Sequence, residues 1–127
     1  MTEIVVGQQF CGPPNSGNGG YVCGVLAKDT QGVASGVLRA RIPLDVALNL
    51  EVGDQTSELF DAEGALIGKG QAASAADLPD VPAPPSLAEA RAAEGRNLGL
   101  TQRIHPICFS CGPERADGEG LRVFAGQ

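Results

Sequence analysis

The sequence has few aromatic side chains, few basic ones and a single histidine. It contains no Trp, one Tyr and four Phe in 127 residues, so the core must consist mainly of Ala, Val, Leu and Ile. Nine basic residues against fifteen acidic ones give a net charge of −6. Nucleic acids and anionic membrane surfaces both attract positively charged proteins, so we expect neither as a partner.

Long apolar runs are also missing. No run approaches the roughly 20 residues that span a bilayer, and the N-terminus MTEIVVGQQF lacks the basic start and long apolar stretch of a secretion signal. We therefore expect a cytoplasmic protein. In that compartment Cys11, Cys23, Cys108 and Cys111 are expected as thiols or metal ligands and not as a disulfide framework.

Residues 1–76 contain the patterns of one folded unit. Residues 4–6 form a short β-type run, and residues 12–20 (GPPNSGNGG) form a loop too rich in Gly and Pro for regular structure. Residues 21–28 (YVCGVLAK) are apolar on nearly every side, which predicts a buried helix with Asn18 as its N-cap.

Alternating apolar and polar residues then predict strands. The alternation covers residues 35–42 and 48–52, and residues 56–60 and 65–73 follow as a hairpin around the Asp61–Gly64 turn. We expect these four strands to form an antiparallel meander, which makes the fold class α+β.

The remaining residues divide into two parts. Residues 77–104 are predicted as a Pro-rich linker and a short helix, with Ser86 as N-cap and Glu89 completing a capping box. Residues 105–127 carry the Cys-x-x-Cys segment and a predicted terminal strand at residues 121–124.

The segment at residues 15–27, with Asn18-Gly19-Gly20-Tyr21 at its centre, resembles the loop and central-helix start of hotdog acyl-CoA thioesterases. VLRARIPLDVALNLEV resembles the second and third strands of that family. The resemblance implies a hotdog fold, in which a curled antiparallel sheet wraps a central buried helix. It also implies a homodimer that hydrolyses or binds acyl thioesters, either acyl-CoA or an acyl carrier.

A second resemblance lies at the other end of the chain. Residues 108–124 are similar to the segment that leads into the first strand of another hotdog unit in thioesterases related to phenylacetate degradation. The chain is then one hotdog unit followed by the beginning of a second. Two alternatives stay open, a short natural protein and part of a double-hotdog protein.

The implied catalytic residues are Asn18, Gly19, Gly20 and Tyr21. Backbone N–H groups at a helix start are unsatisfied and lie at the positive end of the helix dipole, and glycines let a ligand approach them. A thioester carbonyl held there would receive an oxyanion donor. The alternative is a tight turn that holds no ligand.

Asn15, Arg39 and Arg41 are the candidate substrate-binding residues. The two arginines are suited to the phosphates of coenzyme A, although the solvated side of an edge strand is the alternative. The sequence shows no evident general acid or base for hydrolysis. Asn15 and Asn18 can orient a water molecule but cannot accept its proton, and Asp45 is expected in a solvated turn. A non-catalytic module for acyl-thioester binding or dimerisation is therefore the second hypothesis.

His105-x-x-Cys108-x-x-Cys111 has spacing typical of metal ligands, which leaves a small zinc-binding interaction protein as a third hypothesis. Cys11, Cys23 or a carboxylate would have to complete the tetrahedral site. A loop packed under the next strand, with His105 on the surface, is favoured instead, and no metal or cofactor is expected. A redox dithiol is disfavoured because no thioredoxin-like βαβ unit precedes the motif.

Overall fold

The computed structural model describes residues 1–126 and shows an α+β fold with a five-stranded antiparallel sheet. The spatial strand order is β1-β3-β4-β5-β2. The strands are β1 (Thr2–Val5), β2 (Ala34–Leu38), β3 (Ala47–Val52), β4 (Thr56–Phe60) and β5 (Leu66–Ala72). The α+β class predicted from the sequence is confirmed.

Three α-helices accompany the sheet within residues 1–126. They are α1 (Gly19–Ala27), α2 (Leu87–Glu94) and α3 (Gly99–Gln102), and short 3-10 turns cover Gln8–Phe10 and Ala75–Asp77. None of the helices in residues 1–126 is long and apolar enough to cross a membrane.

The order of pairing differs from the predicted meander. β3, β4 and β5 pair consecutively, but β2 pairs with β5 at one edge and β1 pairs with β3 at the other. A connection of residues 39–46, which contains Pro43 and the left-handed Asp45 (φ 56°), carries the chain from β2 at one edge to β3, the strand beside the other edge. Alternation along each strand predicts which faces are buried, but it carries no information on which strand lies beside which.

β2 is also shorter than predicted, because it ends at Leu38 and not at Ile42. The backbone N–H groups of Arg39 and Ala40 both donate to the carbonyl of Ile67, so the regular ladder stops there. Arg39 and Arg41 therefore lie in the connection, and the interpretation that they project from one strand face was wrong.

The core lies between α1 and one face of the sheet. Val22 and Leu26 of α1 are buried against Leu48, Leu59 and Ile67 of the central strands. The open sheet contacts the helix from one side only, and Gly20 and Gly24 stay exposed. The sheet of one chain therefore does not wrap α1 in the way that the predicted curled sheet would.

Residues 78–126 add no strand to the sheet. The predicted strand at residues 121–124 is absent, and this segment is held by only two main-chain hydrogen bonds, from Leu121 to Phe109 and from Val123 to Ser110. α2 begins as predicted, since Ser86 is its N-cap and forms a capping box with Glu89. No residue of α2 is buried.

Candidate functional site

The loop before α1 is shaped by close backbone packing. Gly17 donates its N–H to the carbonyl of Ile42 (2.9 Å) and forms an isolated β-bridge with Cys11. A Cβ on Gly17 would lie only 2.6 Å from Cγ2 of Ile42. Only glycine fits at this position, and the loop is thereby held against the connection between β2 and β3.

Asn18 begins the helix as predicted. Its Oδ1 accepts a hydrogen bond from the backbone N–H of Tyr21 (3.0 Å), and its own N–H donates to the carbonyl of Phe10 (2.7 Å). Its Nδ2 donates to Oγ of Ser110 (3.0 Å) and contacts Sγ of Cys108 (3.6 Å). The buried amide therefore joins the start of α1 to the Cys-x-x-Cys segment.

Gly19 and Gly20 occupy the first two positions of α1. Within residues 1–126 the structure provides no acceptor for their backbone N–H groups. Gly20 is exposed and Gly19 is half-buried. Two neighbouring donors at the positive end of a helix dipole can bind a polarised carbonyl or an anion.

A groove of about 510 Å³, lined by both apolar and polar side chains, runs along α1 beside β1 and β3. Tyr21 and Val25 form its helix side, Ile4 and Leu50 form its sheet side, and Lys28 lies in its lining. The Tyr21 ring stacks on that of Phe10 with a centroid distance of 4.0 Å. The groove therefore adjoins the residue that directly follows Gly20.

The predicted substrate-binding residues lie on another surface. The Arg41 guanidinium donates to the carbonyl of Asn15, and both residues line a depression of about 460 Å³ with Gln8, Pro43 and Leu44. The side chain of Arg39 is exposed and has no hydrogen bond or ion pair to residues 1–126. The structure thus brings Asn15 and Arg41 together without Arg39.

Asp45 is exposed and lies in a turn, as expected. Its Oδ1 accepts a hydrogen bond from the backbone N–H of Gln8 (3.0 Å), and its own N–H donates to the carbonyl of Val6 (2.9 Å). This carboxylate fastens the segment after β1 and is not among the groups that contact Asn18.

The Cys-x-x-Cys segment contains two thiols in different electrostatic environments. Burial alone raises the pKa of Cys108, but hydrogen bonds from the Cys111 and Ser110 backbones, the Cys111 thiol and the Asn18 amide outweigh it, and the net pKa lies below the usual value. The pKa of Cys111 is raised by burial and then by its hydrogen bond to Cys108 and the charge there.

The described residues do not assemble a zinc centre. No group of three or more His, Cys, Asp and Glu side chains within residues 1–126 is arranged to hold a metal ion. His105 is exposed beside a cavity that Cys111 also lines. Cys11 is instead buried, and its Sγ donates to the carbonyl of Ile107 (3.1 Å).

Two residues at this site were missed in the sequence. Ser110 meets Asn18, and Arg115 donates to the carbonyls of Gln9 (2.8 Å) and Ile107 (2.9 Å) while lying over the Phe109 ring. Their partners are up to 106 residues away, so no local pattern marks them.

Comparisons with protein-family models, with curated proteins and with solved structures gave no match.

Proposed function

We propose that this chain is a hotdog-type protein that binds an acyl thioester, acyl-CoA or an acyl carrier, and hydrolyses it at the N-terminus of α1. The observation that carries the proposal is the pair of Gly19 and Gly20 N–H groups without a protein acceptor, followed along the same helix by a groove that Tyr21 and Val25 line. A thioester has a carbonyl oxygen next to an apolar acyl chain. The N–H groups would bind the oxygen, and the groove would hold the acyl chain.

The arrangement of helix and sheet supports the hotdog assignment. α1 precedes β2 to β5 in the chain and packs its Val22 and Leu26 on the antiparallel sheet. Tyr21 and Val25 are only half-buried along the groove. A second copy of the chain would cover this remaining apolar surface of α1, which supports a homodimer.

In this assignment the thioester oxygen accepts hydrogen bonds from Gly19 and Gly20, which stabilise the oxyanion as it forms. The acyl chain lies along Tyr21 and Val25. Asn18 sets the direction of the donors as the helix cap, because its amide is already engaged by Tyr21, Cys108 and Ser110. Asn15 and Arg41 line the depression that would take the phosphates of coenzyme A, and Arg39, exposed in the same connection, is the further candidate contact.

Binding without hydrolysis is the second candidate, and one observation favours it. The side-chain partners of Asn18 are the backbone of Tyr21, the sulfur of Cys108 and the hydroxyl of Ser110, and none of them is a carboxylate. Hydrolysis needs a group that removes a proton from water. A single chain with this site would retain the thioester without cleaving it.

The test removes one N–H donor without changing the helix. Proline is tolerated at the first helical position, and Asn18 already has the extended conformation (φ −68°, ψ 125°) that a following proline requires. Gly19→Pro therefore deletes the donor, and Gly19→Ala is the matched control that keeps it. In both variants the new Cβ would meet only Cδ1 of Leu38, at 3.2 Å.

Chromatography measures the release of coenzyme A from short, aromatic and long acyl-CoAs. Calorimetry measures the binding of a non-hydrolysable thioether analogue. We expect Gly19→Pro to lower kcat about a hundredfold, the typical cost of one oxyanion donor, with Gly19→Ala close to wild type. Analogue binding without turnover would establish the second candidate. Equal turnover by both variants would refute the oxyanion assignment, and neither turnover nor binding would refute the proposed function.

A further inference from the structure

Cys108 and Cys111 are held in one tight turn. The N–H of Gly112 donates to the carbonyl of Cys108 (2.8 Å), which closes a single helical turn and puts residues three apart on the same side. A Cβ on Gly112 would lie 2.5 Å from the nitrogen and 2.6 Å from the oxygen of Cys108. Glycine at this position therefore allows the turn to close, which brings the side chains of Cys108 and Cys111 to the same side of the turn.

The sulfur of Cys108 is surrounded by donors that come from two parts of the chain. Hydrogen bonding from the Cys111 thiol and from the backbones of Ser110 and Cys111, all in the same turn, lowers the pKa of Cys108. Nδ2 of Asn18 approaches from the start of α1, at 3.6 Å. Donors placed in this way stabilise a thiolate, and the thiolate is the reactive form of cysteine.

The two sulfurs differ in their access to solvent. Cys108 is only 6% exposed. Cys111 is half-buried and lines a cavity of about 370 Å³ with Leu98, Ile104 and His105. Cys108 is not among the residues that line this cavity, so an oxidant that reaches its sulfur must be small, such as a hydroperoxide, and a bulky protein disulfide does not fit.

We propose that Cys108 and Cys111 form a reversible intramolecular disulfide on oxidation by a small hydroperoxide, with Cys108 as the attacking and Cys111 as the resolving residue. The Cys108 sulfur attacks the peroxide, ROOH, breaks its O–O bond and becomes a sulfenic acid while ROH leaves. The Cys111 sulfur then attacks the sulfenic sulfur and releases water. Two thiols and ROOH thus give one disulfide, ROH and H2O, and a small dithiol reverses the reaction by exchange.

Oxidation also changes the start of α1. A disulfide removes the ability of the Cys108 sulfur to become a thiolate, which would be the stronger acceptor for Nδ2 of Asn18, and leaves Ser110 as the main partner of that amide in the segment. Because the same amide caps α1 through Tyr21, we expect the two thiol states to differ at the helix N-terminus. The inference stands independently of any acyl-thioester activity.

Mass spectrometry of the reduced, chelator-treated full chain tests the proposal with an internal control. Trypsin releases residues 104–115 with Cys108 and Cys111, and residues 1–28 with Cys11 and Cys23. After limited hydrogen peroxide and alkylation, we expect peptide 104–115 to accumulate unalkylated and lighter by about 2 Da, about tenfold faster than peptide 1–28 is oxidised. Dithiothreitol should restore its alkylation.

Two variants make the assignment specific. Cys111→Ser should give no internal disulfide, and dimedone should then trap a sulfenic acid on Cys108. Cys23→Ser, which alters a thiol of α1, should oxidise at 104–115 like the wild type. Equal oxidation of the two peptides would overturn the proposal, as would dimedone labelling of Cys11 or Cys23 in place of Cys108. Stoichiometric zinc in the purified chain that is lost in Cys108→Ser would also overturn it, because the pair would then be a metal site.

Labelled-amide NMR tests the coupling to α1. The side-chain amide of Asn18 and the backbone amide of Tyr21 should both shift on peroxide treatment and return on reduction. The amide of Glu58 in β4, which has no contact with the segment, should not move. A disulfide that leaves the amides of Asn18 and Tyr21 unchanged would refute the coupling.

Discussion

Replacing Asn18 with alanine removes three hydrogen bonds from one buried side chain. The helix cap to Tyr21 contributes about 1 kcal/mol, and the bond to Ser110 contributes about another 1 kcal/mol. The longer contact to Cys108 adds a smaller amount. We expect Asn18→Ala to lower the free energy of unfolding by about 2 to 3 kcal/mol in total.

Urea unfolding followed by far-ultraviolet circular dichroism, in the presence of reductant, measures this loss. With a slope of roughly 1.5 kcal/mol per molar urea, the midpoint should fall by about 1.5 M at unchanged slope. Asn18→Ser is the matched control, because its hydroxyl can still accept from the Tyr21 N–H but does not reach Ser110. It should lose about half as much.

A double-mutant cycle isolates the long-range bond. Asn18→Ala and Ser110→Ala should show a coupling energy of about 1 kcal/mol, the value of one neutral hydrogen bond. Additive effects of the two substitutions would refute the claim that this bond fastens the segment to α1. A loss below about 1 kcal/mol in Asn18→Ala would refute the account of the cap as well.

Three further predictions concern packing and titration. Gly70→Ala should lower the free energy of unfolding by about 2 kcal/mol or more in chemical denaturation, because its Cβ would lie 2.6 Å from a main-chain oxygen of α1. Gly24→Ala, whose Cβ would have no neighbour within 4 Å, should raise the free energy of unfolding by up to about 1 kcal/mol. Hydrogen bonds from Ser86 hold the pKa of Glu89 below 4.5, so the capping of α2 should persist above pH 4.5 and be lost as the pH falls through the lowered pKa. The backbone amide shifts of α2 measure this transition. An acid transition of the same amides that persists in Glu89→Gln would contradict the assignment. Burial raises the pKa of Cys108, but the hydrogen bonds to its sulfur lower it by more than burial raises it. The wild type should therefore show a thiolate absorbance step below pH 9.0 that is absent from Cys108→Ala.

Much of the local structure follows from the sequence because it depends on residues a few positions apart. Asn18 before an apolar run and Ser86 followed by Glu89 mark helix starts by the hydrogen bonds that their own side chains form. The strand at residues 48–52 is visible as alternation, and the strand at residues 56–60 as one arm of a hairpin. The loop at residues 12–20 is visible because its glycines and prolines disfavour regular structure.

The candidate site divides in the same way. Asn18, Gly19, Gly20 and Tyr21 are adjacent in the chain, so their common location at the start of α1 is predictable. The partners of Asn18 are not, because Cys108 and Ser110 lie 90 and 92 residues further along the chain. The interpretation of residues 105–127 as a separate segment did not anticipate that its turn packs on the helix cap.

The amino-acid sequence by itself determined the caps of α1 and α2, the approximate positions of the four strands β2 to β5, and which glycines open α1. Tertiary structure alone decided that β2 lies beside β5, that the sheet covers one side of α1, and that Asn18 points its amide at the sulfur of Cys108. The physical reason is the sequence separation between the residues that interact. Capping, turn and alternation preferences act between near neighbours, whereas strand order and the donors around a buried thiol depend on segments that meet only when the whole chain packs.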